Sequence, residues 1–142
     1  MIYITGDTHS NYDTKKLNTK KFPEQKNLSR SDYLIICGDF GAIWGNSSKH
    51  DEYWLNWHEN KNYTTLYIDG NHENHSLLNE YPIEIWNGGK IYKIKPHVYH
   101  LMRGQVFELD GNTFFTMGGA SSNDIAYRTE GLTWWKEEEI SE

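Results

Sequence analysis

At 142 residues the chain is the size of one ordinary domain, and its formal net charge of −6 disfavours binding nucleic acid through a broad basic face. Its one cysteine, Cys37, excludes an internal disulfide framework, and no apolar run approaches the ~20 residues that cross a bilayer. With no leader-like segment at its start, the chain is expected in the reducing setting of the cytoplasm.

Met1-Ile2-Tyr3-Ile4-Thr5 is a short β-type run that ends at Gly6-Asp7. The polar, basic stretch from Tyr12 to Lys20 reads as loop with some helix, broken at Phe22-Pro23-Glu24. Tyr33-Leu34-Ile35-Ile36-Cys37 is continuously apolar, as a parallel strand buried on both faces should be, and ends at Gly38-Asp39. Within it, Cys37 reads as a small buried residue. From Asp51 to Asn60, Trp54, Leu55 and His58 fall at helical spacing, with Asp51 placed to cap an amphipathic helix. Thr64-Thr65-Leu66-Tyr67-Ile68 predicts a third strand, ending at Asp69-Gly70-Asn71-His72.

After His72 the pattern changes. Ile83–Trp86, then Asn87-Gly88-Gly89, then the alternating Lys90–Ile94 predict a hairpin. Runs at Val98–Met102, Gln105–Leu109 and Thr113–Met117 follow, and Asp110-Gly111 is a tight-turn signal. This half is expected to be antiparallel β-structure laid onto the parallel half. Gly118-Gly119-Ala120-Ser121-Ser122 is a glycine loop, and Trp134 to Glu139 reads as the first turns of a helix. The acidic run Glu137-Glu138-Glu139 is expected to be solvated, favoured by the helix dipole. The 6 Trp and 10 Tyr are expected mainly in core and half-buried packing.

The informative repeat lies in the first half. Three strands each finish at a glycine flanked by metal-capable side chains. Strands that alternate with helices form a parallel sheet, and the carboxyl ends of such strands lie side by side, where ligands bind. Asp7, His9, Asp39, Asn71 and His72 are therefore expected to converge at one rim, although they are scattered along the chain.

Gly6-Asp7-Thr8-His9, Gly38-Asp39 and Gly70-Asn71-His72-Glu73 resemble the first three motifs of the calcineurin-like metallophosphoesterase superfamily. Leu101-Met102-Arg103-Gly104, Met117-Gly118-Gly119-Ala120 and Trp134-Trp135-Lys136-Glu137-Glu138 resemble segments of a bacterial and phage branch of it. The resemblance covers essentially the whole chain. It implies an α/β fold, with parallel strands and flanking helices followed by antiparallel hairpins, in a single domain over residues 1–142. It also implies a phosphoester hydrolase with two metal ions. Asp7 and His9 would bind the first, Asp39 would bridge both, Asn71 would bind the second through its amide oxygen, and His72 would stand by the leaving group. Two cations ~3.5–4 Å apart clamp the attacking and leaving oxygens of an in-line displacement. Mixed oxygen and imidazole donors suit manganese first, then iron or zinc.

Arg103, Asp124 and Arg128 are candidates for substrate binding, the arginines through their forked donors. In the superfamily a later histidine and a Gly-His-x-His element complete both metal shells, and nothing in these 142 residues matches Gly-His-x-His. His75, His97 and His100 read as structural or surface residues. The expectation is a chain truncated to the N-terminal half, with the second half of the β-sandwich missing and the second metal weakly held. Ser10-Asn11 also stands where a glycine is usual, which would alter the first loop slightly. Two functions compete. One is a metal-dependent phosphoesterase, acting alone, as a homo-oligomer or completed by another chain. The other is an inactive binding protein that reuses the fold, for instance a phage or mobile-element inhibitor of a host defence protein.

Overall fold

The computed structural model describes residues 1–45 and 48–140. Strands β1 (Ile2–Gly6), β2 (Tyr33–Cys37), β3 (Thr64–Ile68), β4 (Ile83–Trp86), β5 (Gly89–Lys95) and β6 (Val98–Leu101) form one sheet in the order β1-β2-β3-β6-β5-β4. Strands β7 (Gln105–Leu109) and β8 (Asn112–Thr116) form a separate two-stranded sheet. Helix α1 (Lys49–Glu59) connects β2 to β3, and the short α2 (His75–Leu78) follows β3. Among the described residues, no helix is long and apolar enough to cross a membrane.

Strands β1, β2 and β3 pair in parallel, with Ile4 opposite Ile35 and Ile35 opposite Leu66. Successive side chains on a strand alternate faces, and both faces of the middle strands are covered. Leu34, Ile36 and Tyr67 pack with Leu55 of α1, Phe40 and Tyr63 on one side. Ile35 and Leu66 pack on the other with Ile91, Leu101 and the hairpin residues Phe107 and Leu109. Continuous apolar runs are what such doubly covered strands require.

The β-rich half joins the parallel half through β6, which lies antiparallel to β5 but parallel to β3, with Tyr67 opposite His100. The alternation of β6 shows only that it is a strand; its partner on the β3 side is set by the chain path. Two tight turns form as their sequences direct. Asn87-Gly88 joins β4 to β5 and Asp110-Gly111 joins β7 to β8, all four residues having positive φ, the signature of the mirror-image turns that match strand twist.

Three local expectations are corrected. Ser48, not Asp51, caps α1, its hydroxyl accepting from Asp51 N at 3.0 Å. The Asp51 carboxylate instead accepts from Trp44 N and Gly45 N, both at 2.7 Å, tying the preceding loop to the helix. Cys37 is exposed, because it ends β2 at the rim, beyond the reach of the covering hairpin. The acidic tail makes one 3-10 turn, Lys136–Glu138, in which Glu138 is buried, not solvated.

His58 of α1 is fully buried beside Phe40 and Trp57, and burial pushes its pKa down to about 3, helped by the charge of Lys61. Folded, it stays neutral, while the unfolded chain takes up a proton near pH 6.5. Stability is therefore lost as pH falls below about 6.5, with a slope approaching about 1.4 kcal/mol per pH unit for this one group. Burial shifts His75 the same way. Denaturant melts between pH 7 and pH 5 should show this loss, and His58→Met should remove the larger share of it. An equal slope in wild type and variant would refute the assignment.

Candidate metal centre

The rim at the carboxyl ends of β1, β2 and β3 is built from three loops. After β2 the chain turns sharply, with Gly38 at φ 94° and Asp39 at φ 41°. A positive φ at a non-glycine residue costs on the order of 1–3 kcal/mol and persists only where the surroundings enforce it. Here the Asp39 carbonyl accepts from His9 N at 2.8 Å and Thr8 N at 3.2 Å, while its carboxylate Oδ1 accepts from His72 N at 2.9 Å. His9 and Ser10 also have positive φ, and Ser10 N bonds to Phe40 O at 3.1 Å. Buried Glu73 closes the frame by accepting from Phe40 N at 2.8 Å. Burial raises its carboxyl well above the usual range, with the nearby charges of Asp69 and Asp39 adding to the effect against the hydrogen bond from Phe40.

This frame brings side chains together. His9, Asp39 and His72 each offer a ligand atom, all within 4.8 Å of one another. His9 Nε2 lies 3.3 Å from Asp39 Oδ2 and 3.8 Å from Asp7 Oδ2. The His9 and His72 rings stand nearly perpendicular, with centroids 5.5 Å apart. Asp7, Asp39 and Asn71 line one cavity of about 400 Å³ together with Gly118 and Gly119. His9 and His72 line a second, of about 390 Å³, with Tyr12, Trp44 and His50. The five side chains expected at one rim do share it. Among the histidine and acidic side chains of the described residues, His72 joins His9 and Asp39 in the tight cluster, and Asp7 and Asn71 line the cavity that Asp39 shares.

The fit to a divalent cation rests on donor chemistry. The Asp39 carboxylate and the His9 imidazole, facing each other beside His72, suit a borderline transition ion. Backbone packing supports the same placement: Gly70 passes so close to Asp39 that an added Cβ would collide with the carboxylate and stand 2.6 Å from Asp39 N. Among the described residues this is the one such cluster, a partial ligand set.

The candidate substrate residues divide. Arg128 is mostly buried, and its Nη2 donates to His72 Nε2 at 2.6 Å, so it stands at the rim. Its Nε pairs with Asp124 at 2.8 Å, which places Asp124 behind the arginine. The fork of Arg103 closes on buried Asp69, Nε at 2.8 Å and Nη2 at 2.5 Å. His100 Nε2 meets the other Asp69 oxygen at 2.8 Å. Burial opposes ionisation of Asp69, but His100 and Arg103 outweigh it and hold the carboxyl at about 2. His100 is thus structural, and His97 pairs with Glu59 at 2.7 Å. Asp69, Ser122 and Glu138 were not among the expected site residues. Asp69 had a signal, its place directly before Gly70-Asn71. Glu138 was hidden in an acidic run, and Ser122 in a glycine loop.

The model of the family described as calcineurin-like phosphoesterase matches residues 1–141. The chain belongs to this family. Neither a curated protein nor a solved structure matches it. As a calcineurin-like phosphoesterase it has the fold of a metal-dependent hydrolase with a partial metal-binding cluster.

Gly70→Ala tests how tightly this phosphoesterase packs its rim. Forcing a methyl into Asp39 should cost about 1–3 kcal/mol in thermal or denaturant melts and weaken binding of added Mn²⁺ in calorimetry. Wild-type stability with wild-type affinity would show that the close approach is not needed.

Proposed function

We propose that the protein hydrolyses a phosphoester at the His9–Asp39–His72 cluster with the help of divalent cations, manganese first among them. The observation that carries this reading is the convergence of an imidazole, a carboxylate and a second imidazole within 4.8 Å at the carboxyl edge of a parallel sheet. Asp7 and Asn71 are the neighbouring donors that would extend the cluster toward a second ion. A bound cation there supplies Lewis acidity, polarising a phosphoryl oxygen and acidifying a water.

The chain's own groups do the rest. Asp39 is held at its carbonyl and at one carboxylate oxygen, which leaves Oδ2 aimed at His9. Arginine has only donors, so Nε2 of His72 is the acceptor of the Arg128 bond and the ring proton lies on Nδ1. His72 then acts through its Nδ1–H as a proton donor at the leaving oxygen and not as a ligand to the cation. Arg128, placed against His72, brings positive charge toward a phosphoryl group at an otherwise acidic rim. The groove along Tyr12, Trp44 and His50 gives room for the organic part of the ester.

Purified protein with Mn²⁺ should hydrolyse a chromogenic aryl phosphate. His72→Ala should lower kcat by about 10²–10⁴, the range for losing a positioned acid or base. Asp39→Ala should abolish turnover together with metal binding. Folded wild-type protein that turns over no ester with any divalent ion would overturn the proposal.

A further inference from the structure

Asn71 and His72 are joined by a path of three hydrogen bonds and one ion pair that leaves the rim, passes through the segment around Glu138 and returns. Asn71 Nδ2 donates to Ser122 Oγ at 2.9 Å, and Ser122 Oγ donates to Glu138 Oε2 at 2.5 Å. The other oxygen, Glu138 Oε1, lies 3.6 Å from Arg128 Nη1, and Arg128 Nη2 donates to His72 Nε2 at 2.6 Å. Glu138 has no exposed surface and Ser122 almost none. The segment is fastened beside the rim by Trp135, which packs edge-on against Trp44 and donates its indole N–H to Ser76 Oγ at 2.9 Å. Ala120 N also bonds to Glu138 O at 3.0 Å.

A buried carboxylate is costly unless its partners satisfy it, and capping one 3-10 turn does not require burying a charge. The bonds also have a direction. An ionised carboxylate only accepts, so the single hydroxyl proton of Ser122 must point to Glu138. Ser122 Oγ is then left as an acceptor toward Asn71, and only the NH₂ end of the Asn71 amide can meet it. Asn71 lines the cavity shared with Asp7 and Asp39, and with Nδ2 held by Ser122 the amide oxygen is the end left to serve it. An amide binds a cation through its oxygen and not through its nitrogen.

We propose that Glu138, acting through Ser122, is a positioning residue that selects the metal-binding flip of Asn71, while its second oxygen helps to hold Arg128 against His72. The inference rests on the reading that Asn71 faces a metal ion. Glu138→Gln is nearly isosteric but erases the direction, because its amide can donate to Ser122 Oγ. Ser122 is then free to donate to Asn71 Oδ1 and turn the NH₂ group toward the cavity. Ser122→Ala removes the acceptor outright and changes one atom.

The test is Mn²⁺ titration of metal-free wild type, Glu138→Gln and Ser122→Ala by calorimetry. Circular dichroism melts without metal and the side-chain amide resonance of Asn71 in ¹⁵N NMR accompany it. Both variants should bind Mn²⁺ about ten- to a hundredfold more weakly, as loss of a group that orients a ligand does. They should also shift the Asn71 amide resonance, with Ser122→Ala keeping a wild-type melt. If Glu138→Gln does not fold, Ser122→Ala decides the matter alone. A folded Ser122→Ala protein that binds Mn²⁺ as wild type does would overturn the inference and leave the phosphoesterase reading standing. Wild-type protein that binds no divalent ion would overturn both.

Discussion

The backbone of Asp39 is the point on which the rim depends. Its carbonyl gathers the amides of Thr8 and His9, its carboxylate gathers the amide of His72, and the next amide, that of Phe40, is taken by Glu73. Loops from three strands are thus fastened to one residue in a conformation that costs energy locally. The hydrogen bonds to the surrounding loops offset that cost. In return the carboxylate is fixed with one oxygen occupied and the other facing His9, which is what a ligand needs if binding is not to require reordering of the chain.

Charge is arranged in two tiers. At the rim, Asp7, Asp39 and the histidines form an acidic hollow with Arg128 as the cationic group bonded into it. Beneath it, Asp69 is buried and ionised, which is tolerable only because His100 and Arg103 meet both of its oxygens. Gly119 N bonds to the Asp69 carbonyl at 2.9 Å, so the same residue draws the glycine loop toward β3. That loop carries Ser122. The two carboxylates, Asp69 and Glu138, therefore anchor the later part of the chain to the motif strands.

Most of the architecture was legible from sequence because burial on both faces leaves a distinctive mark. The runs at 33–37 and 64–68 could hardly be anything but inner strands, and each ends in a glycine and a polar ligand. The turns at Asn87-Gly88 and Asp110-Gly111 were legible for a different reason, the rarity of positive φ. The part that could not be read depends on partners remote in the chain. Nothing local distinguishes Glu138 from Glu137 and Glu139, and it is partners remote from the run, Ser122 and Arg128 together with Trp44 packed on Trp135, that turn one of the three inward. Arg103 and Arg128 look equivalent as cations, yet Asp69 closes the fork of one and His72 draws the other to the rim. The exposure of Cys37 depends on how far a hairpin reaches, which no residue near it encodes.

The double role of β6 carries a kinetic consequence. Strands β4, β5 and β6 form a meander whose neighbours are close in the chain, whereas pairing Ile2 with Tyr33, Tyr33 with Thr64, or Thr65 with Val98 closes a long loop each time. Loop closure slows with such separations. The meander is therefore the early-forming piece and docks onto β3 as a unit, with β6 as its leading edge. The rim, whose parts come from both sides of every long closure, is completed only at the end of folding, so a refolding experiment would recover secondary structure before it recovers any capacity to hold an ion.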